Sequence, residues 1–156
     1  MRIFSLAALC YVAIVATAGA LAPQRVLHLR EPWCFDDWCL SVDQVSRMPS
    51  PPDVEYNVSL RVFSQAQRVS QRAKGAWIYL IDRQGNRYAP EADRSGVPLD
   101  VRLSPGESVA TSRVFRIPEN AGPIRLITGH GPAWLPKFII ADESSLLHKP
   151  TFVQLE

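Results

Sequence analysis

Histidine and cysteine, on which most metal sites and many active sites depend, are scarce in this sequence. It has three histidines (His28, His130 and His148) and three cysteines, and no histidine has the spacing of a zinc ligand. No serine occupies a G-x-S-x-G motif, and no H-E-x-x-H motif occurs. We therefore expect a protein that is not an enzyme, with no catalytic, metal-binding or cofactor-binding residues.

An excess of charge of either sign is also missing. The 17 lysines and arginines nearly balance the 15 aspartates and glutamates, which leaves a formal net charge of +2 over 156 residues. Proteins that bind nucleic acid usually carry a clear basic excess, so we expect no nucleic-acid partner. The most basic stretch, residues 65–74, is predicted to be a solvated loop rather than a site for anionic lipid.

Long hydrophobic runs are absent apart from residues 3–22, which contain no charged residue and follow Arg2. This pattern is typical of an export signal, and Ala18-Gly19-Ala20 supplies the small residues of a cleavage site. The alternative is a single N-terminal membrane anchor, because about 20 apolar residues can span a bilayer as a helix. On either interpretation, residues 1–22 direct the rest of the chain out of the cytoplasm, as a periplasmic, secreted or anchored protein.

One cysteine lies in the hydrophobic run, and the other two, Cys34 and Cys39, are predicted to form a disulfide in an oxidising compartment. A straight strand would hold their Cα atoms about 16 Å apart, whereas a disulfide needs about 4.4–6.8 Å, so the chain must reverse between them. In the sequence WCFDDWC, a tight turn at the two aspartates would place Cys34 opposite Cys39 and Phe35 opposite Trp38.

The rest of the chain alternates short apolar segments with turn residues and lacks an amphipathic helix of useful length. Residues 54–62 alternate apolar and polar side chains strictly, as in a strand with one buried face. A proline-rich segment at residues 48–52 is expected to end the strand before it. We predict an all-β fold, an Ig-like antiparallel β-sandwich of about 7–8 strands over residues 33–156, after a linker or lead-in strand at residues 23–32.

The predicted strands lie at residues 39–45, 54–62, 76–81, 97–103, 112–117, 124–128, 138–141 and 151–155. Residues 142–148 are the one stretch that could form a helical turn.

Three motifs give the chain a resemblance to a known group of domains. A central strand ends in D-x-x-G-x-x-Y (Asp82, Gly85 and Tyr88), an L-S-P-G-E-S turn follows at residues 103–108, and a V-F-R-I-P strand follows at residues 114–118. Their order resembles bacterial extracytoplasmic Ig-like domains of unknown function, which are similar to the secreted mycobacterial immunoprotective antigens. The resemblance implies an Ig-like β-sandwich behind a signal peptide or lipid anchor, and it implies no catalytic residues.

The hairpin that carries both cysteines is the candidate binding surface, through Trp33, Asp36, Asp37 and Trp38. One interpretation is an aromatic and acidic hairpin that stacks on a sugar or docks a partner. The other is structural: the rings pack beside the disulfide and the aspartates form the turn, since aromatic rings gain most from burial. His130, in the sequence GHGPAW, is expected in a surface loop at one end of the sandwich.

These observations favour an exported or membrane-anchored, non-enzymatic binding module of the cell envelope. Its expected partner is a protein or another envelope component, and residues 3–22 would provide any membrane anchoring. The alternative is a small extracytoplasmic carbohydrate-binding protein or hydrolase. That protein would use the hairpin between Trp33 and Trp38, or the His130 loop.

Overall fold

The computed structural model describes residues 2–21, 23–122, 124–131 and 150–155. Within these ranges the chain forms one α-helix, nine strands and a 3₁₀ turn at Ala92–Arg94. The helix is α1 (Arg2–Leu21), and the strands are β1 (Val26–Leu27), β2 (Trp33–Phe35), β3 (Trp38–Ser50), β4 (Asp53–Ser64), β5 (Trp77–Ile81), β6 (Arg87–Tyr88), β7 (Ser108–Pro118), β8 (Arg125–Gly129) and β9 (Phe152–Gln154). The predicted strand at residues 138–141 and the predicted helical turn at residues 142–148 lie outside the described residues.

The chain divides into two compact units. The larger unit, Val26–Gly131 with Phe152–Glu156, contains all nine of the strands named above. The smaller unit contains α1. No helix in the described part of the chain is both long enough and apolar enough to cross a membrane.

The strands form two sheets. Five strands lie in the order β1-β9-β8-β5-β6, and four lie in the order β2-β3-β4-β7. Neighbouring strands run antiparallel, except that β1 and β9 run parallel. Buried apolar side chains from both sheets pack into one cluster. The prediction of a mainly β protein with two sheets is confirmed, while the parallel pair departs from the fully antiparallel arrangement that the sequence predicted.

The core is built from the apolar positions of the alternating strands. Fully burying a Leu, Ile, Val or Phe side chain contributes about 1.5–3 kcal/mol, so the buried apolar side chains dominate the stability of the larger unit. The largest side chains with almost no exposed surface are Phe115, Leu40, Leu60, Leu80, Leu103, Ile117, Ile124, Leu126, Val42, Val58, Val62 and Val153.

Strand β4 follows the predicted alternation closely. Val58, Leu60 and Val62 are buried, whereas Ser59 is half-buried and Arg61 is exposed. β4 lies between β3 and β7 and pairs with both along most of its length. One face of the four-stranded sheet therefore covers the core, and the other presents a polar surface.

The predicted break at residues 48–52 is wrong at its start, because β3 continues to Ser50. Pro49 pairs in register with Val54 of β4. The neighbouring strand β2 pairs only with Trp38–Leu40 of β3, so the far half of β3 has an open edge on that side within the described residues. A proline on such an edge removes no hydrogen bond from the sheet. The chain turns after Ser50, where a cis peptide bond joins Pro51 and Pro52.

The predicted strand at residues 97–103 is also wrong. This segment is irregular, and among the described residues its sheet-like contact is an isolated bridge between Leu103 and Gln71. Pro98 has no N–H group to donate to a ladder, which weakens any strand there. Leu99 and Leu103 are nevertheless buried, so the apolar alternation in this segment reflects packing against the core rather than strand pairing.

The connection between β6 and β7 covers the free edge of β7. The backbone N–H of Glu91 donates to the carbonyl of Val114 (2.8 Å), and that of Gly96 donates to the carbonyl of Ser112 (3.1 Å). These bonds satisfy edge groups that would otherwise be open to pairing with another chain. They also hold residues 89–100 against β5 and β7, where a cleft forms.

Candidate functional site

The disulfide hairpin has the geometry that the sequence predicted. Cys34 pairs in register with Cys39, and Phe35 pairs with Trp38. The two cysteines form a disulfide, so this prediction is confirmed; their Cα atoms are 4.0 Å apart, slightly closer than the usual range. Asp36, at the turn, has φ 51°, a left-handed conformation that aspartate tolerates better than most residues.

Both tryptophans of the hairpin are buried. Trp33 is 5% exposed and Trp38 is 3% exposed, and both belong to the central apolar cluster. Between them lies the half-buried Phe35, whose ring centroid is 5.6 Å from that of Trp33 and 5.9 Å from that of Trp38. The two indole rings therefore join the hairpin to the core, while Asp36 and Asp37 of the predicted surface remain exposed.

His130, which is remote in sequence, lies against this hairpin. Its exposed imidazole packs edge to face on Phe35, with the ring centroids 4.9 Å apart. We call Phe35, Asp36, Asp37 and His130 the hairpin tip. The sequence offered the hairpin and the His130 loop as separate alternatives, whereas the fold brings His130 against Phe35 of the hairpin.

Hydrogen bonds join the basic 65–74 segment to Asp37 of the hairpin tip and to Gly131, next to His130. The backbone N–H of Gln65 donates to the carbonyl of Asp37 (2.8 Å), and the amide of Gln71 donates weakly to its carboxylate (3.5 Å). On the other side, the N–H of Gly131 donates to the carbonyl of Lys74 (3.0 Å). The 65–74 segment thus supports both halves of the tip, a role that its polar composition did not reveal.

The hairpin tip combines two carboxylates, a phenyl ring and an imidazole. No group of three or more His, Cys, Asp or Glu side chains in the described ranges could hold a metal ion. Asp36 and Asp37 present two carboxylates to solvent beside the rings of Phe35 and His130. Such a surface complements a basic and partly apolar partner.

A second surface lies on the outer face of the four-stranded sheet. This groove encloses about 840 Å³, with Arg30, Asp43, Arg61 and Phe63 among its lining residues. The Asp43 carboxylate accepts hydrogen bonds from Nε (3.0 Å) and Nη2 (2.8 Å) of Arg61, and another from the Ser41 hydroxyl (3.0 Å). Because Asp43 and Arg61 pair with each other, neither of these two charges is fully available to a ligand in the groove.

A buried carboxylate that the sequence treated as a solvated strand residue anchors the loop before β7. Glu55 accepts hydrogen bonds from both terminal nitrogens of Arg94, one of them at 2.9 Å. Glu91 lies 3.6 Å from Arg94 and 3.3 Å from Arg116, which completes a chain of alternating charges. The hydrogen bonds from Arg94 hold the pKa of Glu55 below its ordinary value.

The D-x-x-G-x-x-Y motif has a structural explanation. Asp82 is buried, and its carboxylate accepts hydrogen bonds from the side chain of Asn86 (2.7 Å), the backbone of Asn86 (2.8 Å) and the hydroxyl of Tyr88 (2.9 Å). Burial opposes ionisation of Asp82, but these hydrogen bonds outweigh it and lower the pKa. Gly85 has φ 90°, which glycine adopts readily. The motif therefore stabilises the turn between β5 and β6.

Comparison with known proteins bears on the fold. No family model matches the chain, and no curated protein is similar to it in sequence. An uncharacterized β-sandwich protein from Clostridium difficile 630 superimposes with a TM-score of 0.54 and 8% identity, over 86% of this chain and 95% of that one. The yjhA protein from Bacillus subtilis gives a TM-score of 0.49 and 14% identity, over 83% of this chain and 99% of that one.

A conserved hypothetical protein from Bacillus anthracis gives a TM-score of 0.48 and 15% identity, over 65% of this chain and 89% of that one. The first of the three solved structures shows that the chain has a β-sandwich fold. At this level of identity the likeness extends to the fold alone.

Proposed function

We propose that this protein is an exported, non-enzymatic binding module of the cell envelope and that the hairpin tip is its recognition surface. The observation that carries the proposal is the disulfide hairpin, whose turn presents two exposed carboxylates at fixed positions. A disulfide is typical of proteins in oxidising compartments, which agrees with export directed by residues 1–22. The Ig-like topology and the kinship with the mycobacterial antigens are finer parts of the same proposal.

The chemistry of the tip favours a protein partner with a basic segment. Asp36 and Asp37 have no ion pair with a described residue, so their charges are available to a partner. Phe35 and His130 add a flat aromatic edge beside them. Interfaces of this kind are steered by complementary charge and anchored by aromatic side chains.

The alternative proposal is carbohydrate binding or hydrolysis at the hairpin or at the His130 loop, and at the hairpin it relied on tryptophan rings that a sugar could contact. Trp33 and Trp38 contribute to the core instead, which leaves Phe35 as the aromatic ring of the hairpin that is open to a ligand. The burial of the indoles weakens the hairpin form of this alternative, while the exposed His130 keeps the loop form open to test.

Site-specific photocrosslinking in cells of the source organism tests the proposal. A photoreactive phenylalanine analogue replaces Asp36 in one variant and Gln84 in a matched control. Both positions are exposed turn residues, but Gln84 follows β5 at Ile81, whereas the hairpin tip is near Gly129, which pairs with the other end of β5. We expect a discrete protein adduct at position 36 and none at position 84.

Charge-neutralising variants supply the second measurement. Asp36→Asn together with Asp37→Asn should weaken formation of the adduct from a crosslinker placed at Phe35, and added salt should weaken it as well. A tip that gives no adduct in any of these variants, or adducts of equal yield at positions 36 and 84, would overturn the assignment of the tip as the recognition surface.

A further inference from the structure

A buried arginine faces the interior of the sandwich at the covered edge of β7. Side chains alternate along this strand, and Arg113 shares the inward-facing row with Phe115 and Ile117. Arg113 is 5% exposed, which is unusual for a residue that remains charged in proteins. Burial lowers the pKa of Arg113 from its ordinary value, as expected for a cation removed from water.

No carboxylate among the described residues pairs with this guanidinium. Nη1 donates to the hydroxyl of Thr111 (2.9 Å) and the carbonyl of Ser112 (2.6 Å), and Nη2 donates to the carbonyl of Val97 (2.9 Å). All three acceptors are neutral. A buried charge without a counter-ion is costly, so the arrangement suggests that an anion is the missing partner.

The neutral partners of Arg113 do not need it. The Val97 carbonyl also accepts a hydrogen bond from the Thr111 hydroxyl (2.7 Å), and the Ser112 carbonyl accepts one from the N–H of Gly96 (3.1 Å). Removing the guanidinium would therefore leave neither carbonyl without a donor. Satisfying buried backbone groups does not explain why a cation occupies this position.

Arg113 lines a cleft of about 500 Å³ between β5 and the loop that covers β7. The volume is within the usual range for small-molecule sites. Most of its lining is apolar, and the carboxylate of Asp100, which also lines it, is paired with Arg72 at 2.9 Å. The lining comprises Ala76, Trp77, Ile78, Tyr79, Ala89, Pro90, Ala92, Ser95, Gly96, Pro98, Leu99, Asp100 and Arg113.

We propose that this cleft binds a small monocarboxylate with an apolar body, whose carboxylate pairs with Arg113. The guanidinium has five N–H donors, and the described residues use three of them, which leaves donors for a carboxylate. The apolar walls would cover the hydrocarbon part of the ligand. This site is separate from the hairpin tip, and neither proposal depends on the other.

Titration of the purified protein with octanoate and with octanamide tests the proposal. The two probes share a chain length and differ in charge. Octanoate should shift the amide NMR resonances of Gly96, Leu99 and Ser112 and bind about 10- to 100-fold more tightly than octanamide, as expected for hydrogen bonds between charged groups. Equal affinities, shifts confined to other parts of the sheet, or no binding of octanoate at millimolar concentration would overturn it.

Three variants separate the role of the charge from the fold. Arg113→Met should lose the preference for octanoate over octanamide, whereas Arg83→Met, at an exposed position in the turn after β5, should keep it. Ala92→Trp, at an exposed position lining the cleft, should block both probes without removing the charge. Because Arg113→Met removes an uncompensated buried charge, its Tm should equal or exceed that of the wild type.

If Arg113→Met does not fold, Ala92→Trp and the comparison of the two probes on the wild type still decide the question. Octanoate that binds Ala92→Trp as tightly as the wild type would contradict a site in this cleft.

Discussion

Removing the disulfide should weaken the sandwich by a modest and calculable amount. The bond joins residues separated by 5 positions, so it closes a very short loop in the unfolded chain. The chain-entropy relation gives such a loop about 2 kcal/mol of stabilisation. Domains of this size typically have a free energy of unfolding of about 5–15 kcal/mol. A variant carrying Cys34→Ser and Cys39→Ser should therefore remain folded, with a free energy of unfolding about 2 kcal/mol lower than that of the oxidised wild type.

Urea unfolding followed by circular dichroism measures the difference. The wild type in reductant should unfold with the same midpoint as the double-serine variant, and the oxidised wild type should unfold at higher urea. Phe115→Ala provides the scale, because this side chain is fully buried in the core and its removal should cost about 3–5 kcal/mol.

Two results would refute this reasoning. If the double-serine variant does not fold, the hairpin organises the domain rather than stabilising its edge. If oxidised and reduced wild type unfold together, the loop-closure estimate does not apply to this hairpin.

The pH dependence of stability and a Gly129→Ala variant provide two further tests of the structure. The pKa values of Glu55 and Asp82 are lowered, so the stability that their ionised forms contribute is fully present above about pH 4.5 and declines as the pH falls below about 4. Asp82→Asn should flatten the dependence of Tm on pH in this range, and an unchanged slope would contradict it. Gly129→Ala should cost about 1–3 kcal/mol in urea unfolding, because a Cβ atom there would lie 2.5 Å from the ring of Trp77. Trp77→Leu in the same chain should restore part of the loss, and a loss that persists would exclude the steric cause.

The hairpin could be predicted from sequence because its constraints are local. Two cysteines five positions apart can bond only if the chain reverses between them, and this requirement alone sets the pairing of Phe35 with Trp38. The alternation in β4 was equally informative, since one residue in two must face the core. Where a short pattern has only one physical solution, the sequence is sufficient.

The contact between Phe35 and His130 could not be predicted in the same way. It joins residues that are far apart in the chain and depends on how β8 and the hairpin pack within the fold. Nothing in the sequence around His130 indicates an aromatic neighbour. The hairpin and the histidine therefore entered as competing candidates, although they form one surface.

Arg113 was missed for a different reason. In the sequence SRVFRI, Arg113 and Arg116 look alike, and a charged residue is normally assigned to the solvent face of a strand. The inward row of β7 nevertheless contains Arg113. Period-two alternation identifies the inward-facing residues of β7 but gives no reason for a cation among them. The neighbouring cleft is formed in part by residues 89–100, whose position cannot be read from the sequence.

Intact-mass measurement of the protein recovered from outside the cytoplasm, without reductant, is the most direct test of the central claim. If the protein is an exported, oxidised module, its mass should show the loss of two hydrogens because Cys34 and Cys39 are joined. The chain should begin at Leu21 if the export signal is cleaved after Ala20, and it should be full-length if residues 3–22 are kept as an anchor. Recovery of the full-length chain from the cytoplasm, with both thiols reduced, would contradict the account.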